Sequence, residues 1–570
     1  MAPLIRARIL RFACKRLGSG RYPSGDFRFP SIVSSRLDGL PNSRMHPPDG
    51  TVKPGASVPS VPEASIPRAH WLTLLFLVAA GLAVGFLHLA SKPFWFDECF
   101  SVEVARIGGK NFLRLLWWRE ANMSLYYVLL RLWLSEGVHL RQNPFFIRSL
   151  SVLISAATLP VTYWLARQLY DRRVGLIAAG LFTFNAYNVR YAQEARSYAL
   201  FLLLATVSSG FLIAYLREPT RRNWIGYVLV SVLAVYAHFY ALLLLAAHGL
   251  SVRWLGDGRA RIDAAAPTYP QLRRGWMIIG LAVLPLLIFV AKTGAGPLRW
   301  IRRPSLGEVL EFYQHLAGGS NWVLLMVCAV VGGAAVMPVR EQVLAREQNW
   351  ETWRVQFLLI WLLFPGVLTV LLSLVRPVFL GRYLIFCLPA LLILVAAGLG
   401  RLRQAWLLAA LTGILLLGLQ GIFFVYGHDF DDQRDSSGAA TNFILDHTQA
   451  GDAVVFHIAA TRVAYEFFRS LRARENTASP GFTAQLGPEI LFPRHGAGLD
   501  YRDFTGKPTE DFLGAIGDSH SRVWIMLMNN GSAENPDPTT AMLSEVLPRS
   551  FPKLQRWQFP RVEVRMYSKQ

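Results

Sequence analysis

WLTLLFLVAAGLAVGFLHL, residues 71–89, runs straight into Ala90-Ser91-Lys92 and then Pro93-Phe94-Trp95-Phe96-Asp97-Glu98. Nineteen such residues in a helix reach about 28 Å at 1.5 Å per residue, close to the roughly 30 Å of a bilayer's hydrocarbon. This run makes the first element a membrane helix and sets two carboxylates at its mouth. Pushed into lipid, an aspartate costs about 2.5 kcal/mol or more on insertion scales. The Asp97-Glu98 pair is therefore either solvated decoration at a helix end or a site, and the rest of the chain has to decide between them.

Outward from this stretch the same signature repeats. Apolar runs at 71–90, 146–168, 174–190, 198–216, 223–238, 240–255, 275–292, 321–338, 355–375, 383–400 and 404–425 predict a polytopic α-helical membrane protein of about eleven spans. Of the 570 residues, 53% are hydrophobic and 17% charged, where soluble proteins average about 25% charged. The formal charge of +21 argues for topology and against nucleic acid, because the Lys and Arg sit mostly in short segments between runs. With the N-terminus inside, every inside loop is basic: Arg167, Arg172 and Arg173; Arg217, Arg221 and Arg222; Arg253, Arg259, Arg261, Arg273 and Arg274; Arg340, Arg346 and Arg354; Arg401 and Arg403. Eleven spans then put the C-terminus outside. Cysteines 14, 99, 328 and 387 have no metal-ligand spacing, so neither a disulfide framework nor a zinc site is implied.

Three domains follow. Residues 1–68, basic and rich in Pro, Ser, Gly and Arg, read as a disordered cytoplasmic tail without the apolar core of a signal peptide, and Met45 is a second candidate start. Residues 69–426 are the membrane domain. Residues 427–570 read as a small extracytoplasmic α/β domain, with helical spacing at 438–449 and β-like runs at 453–458, 522–528 and 562–567. Within the long outer segment 91–145, semi-apolar stretches around 100–118 and 124–138 carry charges at helical spacing, so they predict helices lying in the interface. A second long outer segment, 293–320, predicts a mobile loop and another interfacial helix ending near His315.

The polar residues on the outer side are of an unusual kind. Asp97 and Glu98 lie in an aromatic bed of Phe94, Trp95, Phe96 and Phe100, where a carboxylate can take a proton from an acceptor hydroxyl as general base. Asn122-Met123-Ser124 and the pair Tyr126-Tyr127 come next; aromatic anchoring at the interface explains the tyrosines, and the Asn-Met-Ser triplet has the form of a glycosylation acceptor. Between spans three and four, Arg190, Gln193, Glu194 and Arg196 crowd into one turn, paired or poised near the membrane surface. Arg376 and Arg382-Tyr383 stand at outer mouths against the positive-inside bias. A guanidinium fork suits phosphate oxygens, although headgroup contact would explain these arginines, and Arg302 and Arg303, as well. His238 and Tyr240 at another mouth read as interfacial packing.

In this order, Phe96-Asp97-Glu98, Leu125-Tyr126-Tyr127 with Leu129-Leu130-Arg131-Leu132-Trp133, Arg148-Ser149-Leu150-Ser151, Tyr191-Ala192-Gln193-Glu194-Ala195-Arg196-Ser197-Tyr198 and Arg376-Pro377-Val378-Phe379 with Arg382-Tyr383 resemble the bacterial polytopic glycosyltransferases of the type-C superfamily. That group, of the glycosyltransferase family 39 type, contains protein O-mannosyltransferases and lipid A aminoarabinose transferases. The resemblance covers residues 70 to 400 and implies a multi-pass protein of the bacterial cytoplasmic membrane. It implies transfer of a sugar from a polyprenyl-phosphate donor to an extracytoplasmic glycan, lipid or protein, with inversion. Carried over, Asp97 is the catalytic carboxylate and Glu98 its partner, Glu194 and Arg196 line the site, and Arg382 binds the carrier phosphate. Tyr126, Tyr127, Arg376 and Tyr383 fall in the same motifs and are expected among the substrate-binding residues. Many relatives carry a His- or acid-bearing triplet where this chain has Asn122-Met123-Ser124, so a metal-independent mechanism without a cofactor is expected.

The rival classes are a secondary transporter or lipid flippase and a non-catalytic scaffold. A transporter places ionisable residues near mid-depth on broken helices, often in an inverted repeat; the runs read as polar-poor at mid-depth, with no internal repeat. A scaffold leaves the outer Asp, Glu and Arg unexplained.

Overall fold

The computed structural model describes residues 68–137, 143–255, 269–294, 301–319, 322–345, 349–427, 435–477, 487–496, 498–528 and 537–569. The N-terminal tail, the loop residues 295–300 and the acidic turn 428–434 lie outside the described residues.

Every apolar run is helical. Seven helices among the described residues are long and apolar enough to cross a membrane: Arg68–Phe86, Pro144–Leu169, Tyr198–Arg217, Trp322–Gln342, Trp350–Val375, Gly381–Leu399 and Gln404–Gly427. The pair Pro270–Ala282 and Leu284–Thr293, bent by 49°, makes an eighth if counted as one span. The other three of the eleven expected spans differ in ways the local sequence explains. The run 174–190 splits into Arg172–Thr183 and Ala186–Ala192 because Asn185 starts the second helix, accepting from Asn188 N at 2.9 Å. The runs expected at 223–238 and 240–255 are the helices Arg221–Ala237 and Ala241–Leu255, parted at His238 as expected but only 17 and 15 residues long. The polar-poor reading of the interior also needs correcting. His248 is fully buried and bonds Ser209 Oγ at 3.0 Å, while Tyr227 accepts from Trp276 Nε1 at 3.0 Å.

Caps start the long helices where the pattern says they should. Asn143 accepts from the Phe145 and Phe146 N–H groups, with Pro144 at the first helical position. Large apolar side chains stay exposed on the outer faces, such as Val330, Leu374, Val375 and Phe423. That is the arrangement of a bundle whose solvent is lipid. Helices approach closely where glycine permits it. A Cβ at Gly398 would stand 1.8 Å from the Val331 carbonyl oxygen of the helix Trp322–Val336.

The described part of the long segment 91–145 holds three helices. Phe96–Arg106 and Gly109–Trp118 replace the single stretch expected around 100–118, the break falling at Ile107-Gly108, and Ser124–Glu136 follows. The helix Leu306–Ala317 is the one expected to end near His315, opened by a Ser305/Glu308 capping box.

The C-terminal region holds a five-stranded sheet of order β2-β1-β3-β5-β4, with β1 Ala453–Phe456, β2 Glu489–Phe492, β3 Arg522–Met528, β4 Lys553–Phe559 and β5 Val562–Ser568. β2, β1 and β3 run parallel, β5 pairs antiparallel with β3, and β4 pairs antiparallel with β5. Alternation along the strands sends Val454, Phe456, Trp524 and Met526 to one core, and Val455, Ile525 and Leu527 to the other. This region packs on residues of the segment that follows the first membrane helix. Phe467 meets Phe94 edge-on at 5.0 Å, Phe504 meets Phe100 at 5.5 Å, and Asn111 bonds Asp500 at 3.2 Å.

Candidate active site

Asp97 and Glu98 sit in the first turn of Phe96–Arg106, and neighbours on a helix point about 100° apart. The helix therefore sends the two carboxylates into different surroundings. Glu98 is fully buried. Arg148 holds it through a two-pronged pair, Nε to Oε1 at 2.8 Å and Nη2 to Oε2 at 2.7 Å, and the Ala195 N–H donates to Oε1 at 3.0 Å. The same guanidinium donates to the carbonyls of Leu89, Lys92 and Pro93 at 2.9–3.2 Å. Arg148 thus ties the end of the first membrane helix to the start of the next element, with Glu98 as its counter-charge.

Asp97 points the other way, its side chain 18% exposed. Oδ2 lies 3.6 Å from Arg196 Nη2 and 3.6 Å from Arg382 Nη2, and makes no hydrogen bond among the described residues. These distances exceed the 2.7–2.9 Å of a close charge-assisted bond, so the carboxylate is flanked by both guanidiniums and clasped by neither. Arg196 is anchored to the same helix through the Asp97 carbonyl at 3.3 Å and Ser101 Oγ at 3.2 Å. Arg382, in the 3-10 turn Gly381–Cys387, lies over the Trp95 ring at 5.5 Å.

Aromatic rings wall this group. Tyr383 stands 4.7 Å from His238 and 5.1 Å from Tyr240, with Tyr198 behind it at 6.4 Å. His238, read from sequence as interfacial packing, is buried in this wall and stacks on Phe201 at 5.1 Å.

Of the expected site residues, Asp97, Arg196, Arg382 and Tyr383 come together. Tyr127 is buried beside Arg196. The others stand apart for definite reasons. Glu98 is consumed by Arg148. Glu194 is buried in an i,i+4 pair with Arg190 at 3.8 Å. Tyr126 is fully buried against Ser151 Oγ at 3.2 Å. Arg376 is exposed where the helix Trp350–Val375 ends, as are Arg302 and Arg303 on their loop.

Two acids at the site escaped the sequence reading. Glu120, half-buried in the turn between Gly109–Trp118 and Ser124–Glu136, shares its surroundings with Arg196 and Asp97. Burial pushes its carboxyl up to about 7 against the pull of Arg196, with a smaller push from Asp97. An acid two residues before Asn122 in an outer turn was the available signal. Asp435 accepts from the Phe96 N–H at 2.8 Å; nothing local in the sequence pointed to it.

The chain is similar in structure to ArnT from Cupriavidus metallidurans in the apo state, with a TM-score of 0.57 and 12% identity over 88% of this chain and 98% of that one. It is likewise similar to the same protein bound to undecaprenyl phosphate, with a TM-score of 0.52 and 11% identity over 87% of this chain and 98% of that one. A further match at a TM-score of 0.43 and 10% identity is the Archaeoglobus fulgidus oligosaccharyltransferase in the apo form, over 80% of this chain and 69% of that one. No family model and no curated protein sequence matches. The chain therefore shares the fold of ArnT, a polytopic helical bundle with a small C-terminal sheet region.

Proposed function

We propose that the chain is a membrane glycosyltransferase that moves a sugar from a polyprenyl-phosphate donor to an acceptor outside the cytoplasm. The observation that carries this reading is the Asp97 carboxylate set 3.6 Å from both Arg196 and Arg382, three residues drawn from three distant parts of the chain. Support comes from the shared fold with ArnT, a protein crystallised with undecaprenyl phosphate.

In this mechanism the donor phosphate docks on Arg382 and Arg196, whose planar guanidinium forks suit phosphate oxygens. The acceptor O–H or N–H attacks the anomeric carbon from the face opposite the phosphate. The carbon–oxygen bond to phosphate breaks, its electron pair leaves with the phosphate, and the configuration inverts. Asp97 takes the acceptor proton. The arginines stabilise the negative charge gathering on the leaving oxygen, and the proposed step uses no metal. Glu98 positions the helix through Arg148, and Tyr383 with Tyr127 shapes the substrate cleft. We place the protein in a bacterial cytoplasmic membrane with its N-terminal tail inside and residues 427–570 outside, as the basic inner loops favour.

The test measures transfer from labelled polyprenyl-phosphate sugar in membranes. Asp97→Asn is expected to lose about 10²-fold or more in rate, the scale of a general base, while still inserting normally. Arg382→Ala is expected to weaken donor use. Normal turnover by Asp97→Asn sinks the assignment.

A further inference from the structure

The helix Phe96–Arg106 opens without a cap of its own. Trp95 holds the N-cap position in extended backbone and makes no side-chain cap bond, yet the first N–H groups of a helix need acceptors from outside it. The Phe96 N–H finds one in Asp435 Oδ2 at 2.8 Å, 339 positions along the chain. Asp435 is 8% exposed, and its other oxygen accepts from the Ser437 N–H at 2.9 Å and from the Ser437 hydroxyl. Ser436 N in turn bonds the Pro560 carbonyl at 3.0 Å in the turn between β4 and β5. A buried carboxylate is tolerated only when its lone pairs are filled, and here three donors fill them. One of those donors is the backbone N–H of Phe96, the residue immediately before Asp97. Two hydrogen bonds joined by the Asp435-Ser436 backbone thus connect the turn between β4 and β5 to the first turn that carries Asp97.

We propose that Asp435 is a positioning residue for the transfer reaction: capping this helix from the C-terminal region, it fixes where Asp97 stands between Arg196 and Arg382. It acts through Asp97 and touches no substrate. The proposal rests on the reading of Asp97 as base. A displacement of about 1 Å at such a group costs on the order of 10² in rate, so the cap matters to kcat far more than to donor binding.

The experiment uses the full chain in lipid nanodiscs, with two readouts: steady-state transfer, and hydrogen exchange of the Phe96–Cys99 amides. Asp435→Ala is expected to lower kcat at least tenfold, to leave the donor KM within about twofold, and to speed exchange at Phe96. Asp435→Asn keeps an acceptor of equal capping rank, and is expected to recover at least half of kcat and the protection. A purely structural role would reduce the folded yield of the alanine variant and leave kcat per folded molecule unchanged. Wild-type kcat or undisturbed Phe96 exchange in Asp435→Ala overturns the proposal. Should that variant fail to fold, Ser437→Ala loosens the Asp435 carboxylate and is expected to lower kcat about threefold with faster Phe96 exchange; no change in either overturns it equally. Failure of the transfer reading is seen separately, as equal turnover by wild type and Asp97→Asn, while the exchange comparison still reports on the cap.

Discussion

Asp97 and Glu98 are adjacent in sequence and opposite in circumstance. The Arg148–Glu98 pair is fully enclosed, its side chains 2% and 0% exposed, and a charge in that position is tolerable only while its partner stays. Glu98→Gln leaves the Arg148 guanidinium buried without a counter-ion, an error of about 3–5 kcal/mol. The variant is expected to show a marked drop in melting temperature in detergent, and a melt equal to wild type would remove the structural role. Glu120 makes a different prediction. Its carboxyl, ordinarily at 4.5, is raised to about 7 by burial, so folding favours the neutral form. That increment is fully present below about pH 4.5 and is lost as pH rises through about 7. Glu120→Gln, neutral throughout, is therefore expected to gain melting temperature over wild type at pH 8 and not at pH 4.5. An offset equal at both values would contradict it. Asp97 and Arg382 were legible in the sequence because a charged residue beside an apolar run is conspicuous. The Arg148–Glu98 pair was not, since its partners stand 50 positions apart with no pattern linking them.

Helices were the most legible elements. An apolar run long enough to cross lipid has one way to satisfy its backbone, and all eleven expected runs are helical. What escaped were breaks set at single points, Asn185 as a cap and the Ile107-Gly108 junction, whereas the break at His238 falls between the two runs expected there. The strands divide in the same way. β1, β3 and β5 are central, continuous and apolar, and were anticipated. β2 is four residues long, and the edge strand β4 is mostly exposed from Lys553 to Gln558; neither had a period distinguishing it from loop. Close packing of elements carries its own prediction. At Gly398 a methyl group meets backbone that cannot turn aside, and overpacking of this kind costs about 1–3 kcal/mol. Gly398→Ala is expected to melt below wild type in detergent. Gly249→Ala, where the added Cβ meets nothing within 4 Å, is expected to melt at or above it.

At the scale of the whole molecule, the membrane bundle and the C-terminal sheet region meet over the segment that follows the first membrane helix, so the candidate site is built jointly by both. The proposed orientation places Asp511, exposed in the helix Glu510–Ser519, outside and Arg222, exposed at the start of Arg221–Ala237, inside. The three described cysteines are buried, so labelling starts from low background once Cys14 is made Ser. In intact cells Asp511→Cys is expected to react with an impermeant maleimide and Arg222→Cys only after lysis; the reverse pattern would invert the topology. By itself the sequence determined the membrane class, the helical spans, and which outer residues are chemically out of place. The expense of placing charge and bare backbone in lipid writes those features into local composition. Only the tertiary structure decided which carboxylate is clasped and which stands open, and brought Glu120 and Asp435 to Asp97. Those outcomes depend on contacts between residues up to 339 positions apart, and distance in space leaves no period in the chain.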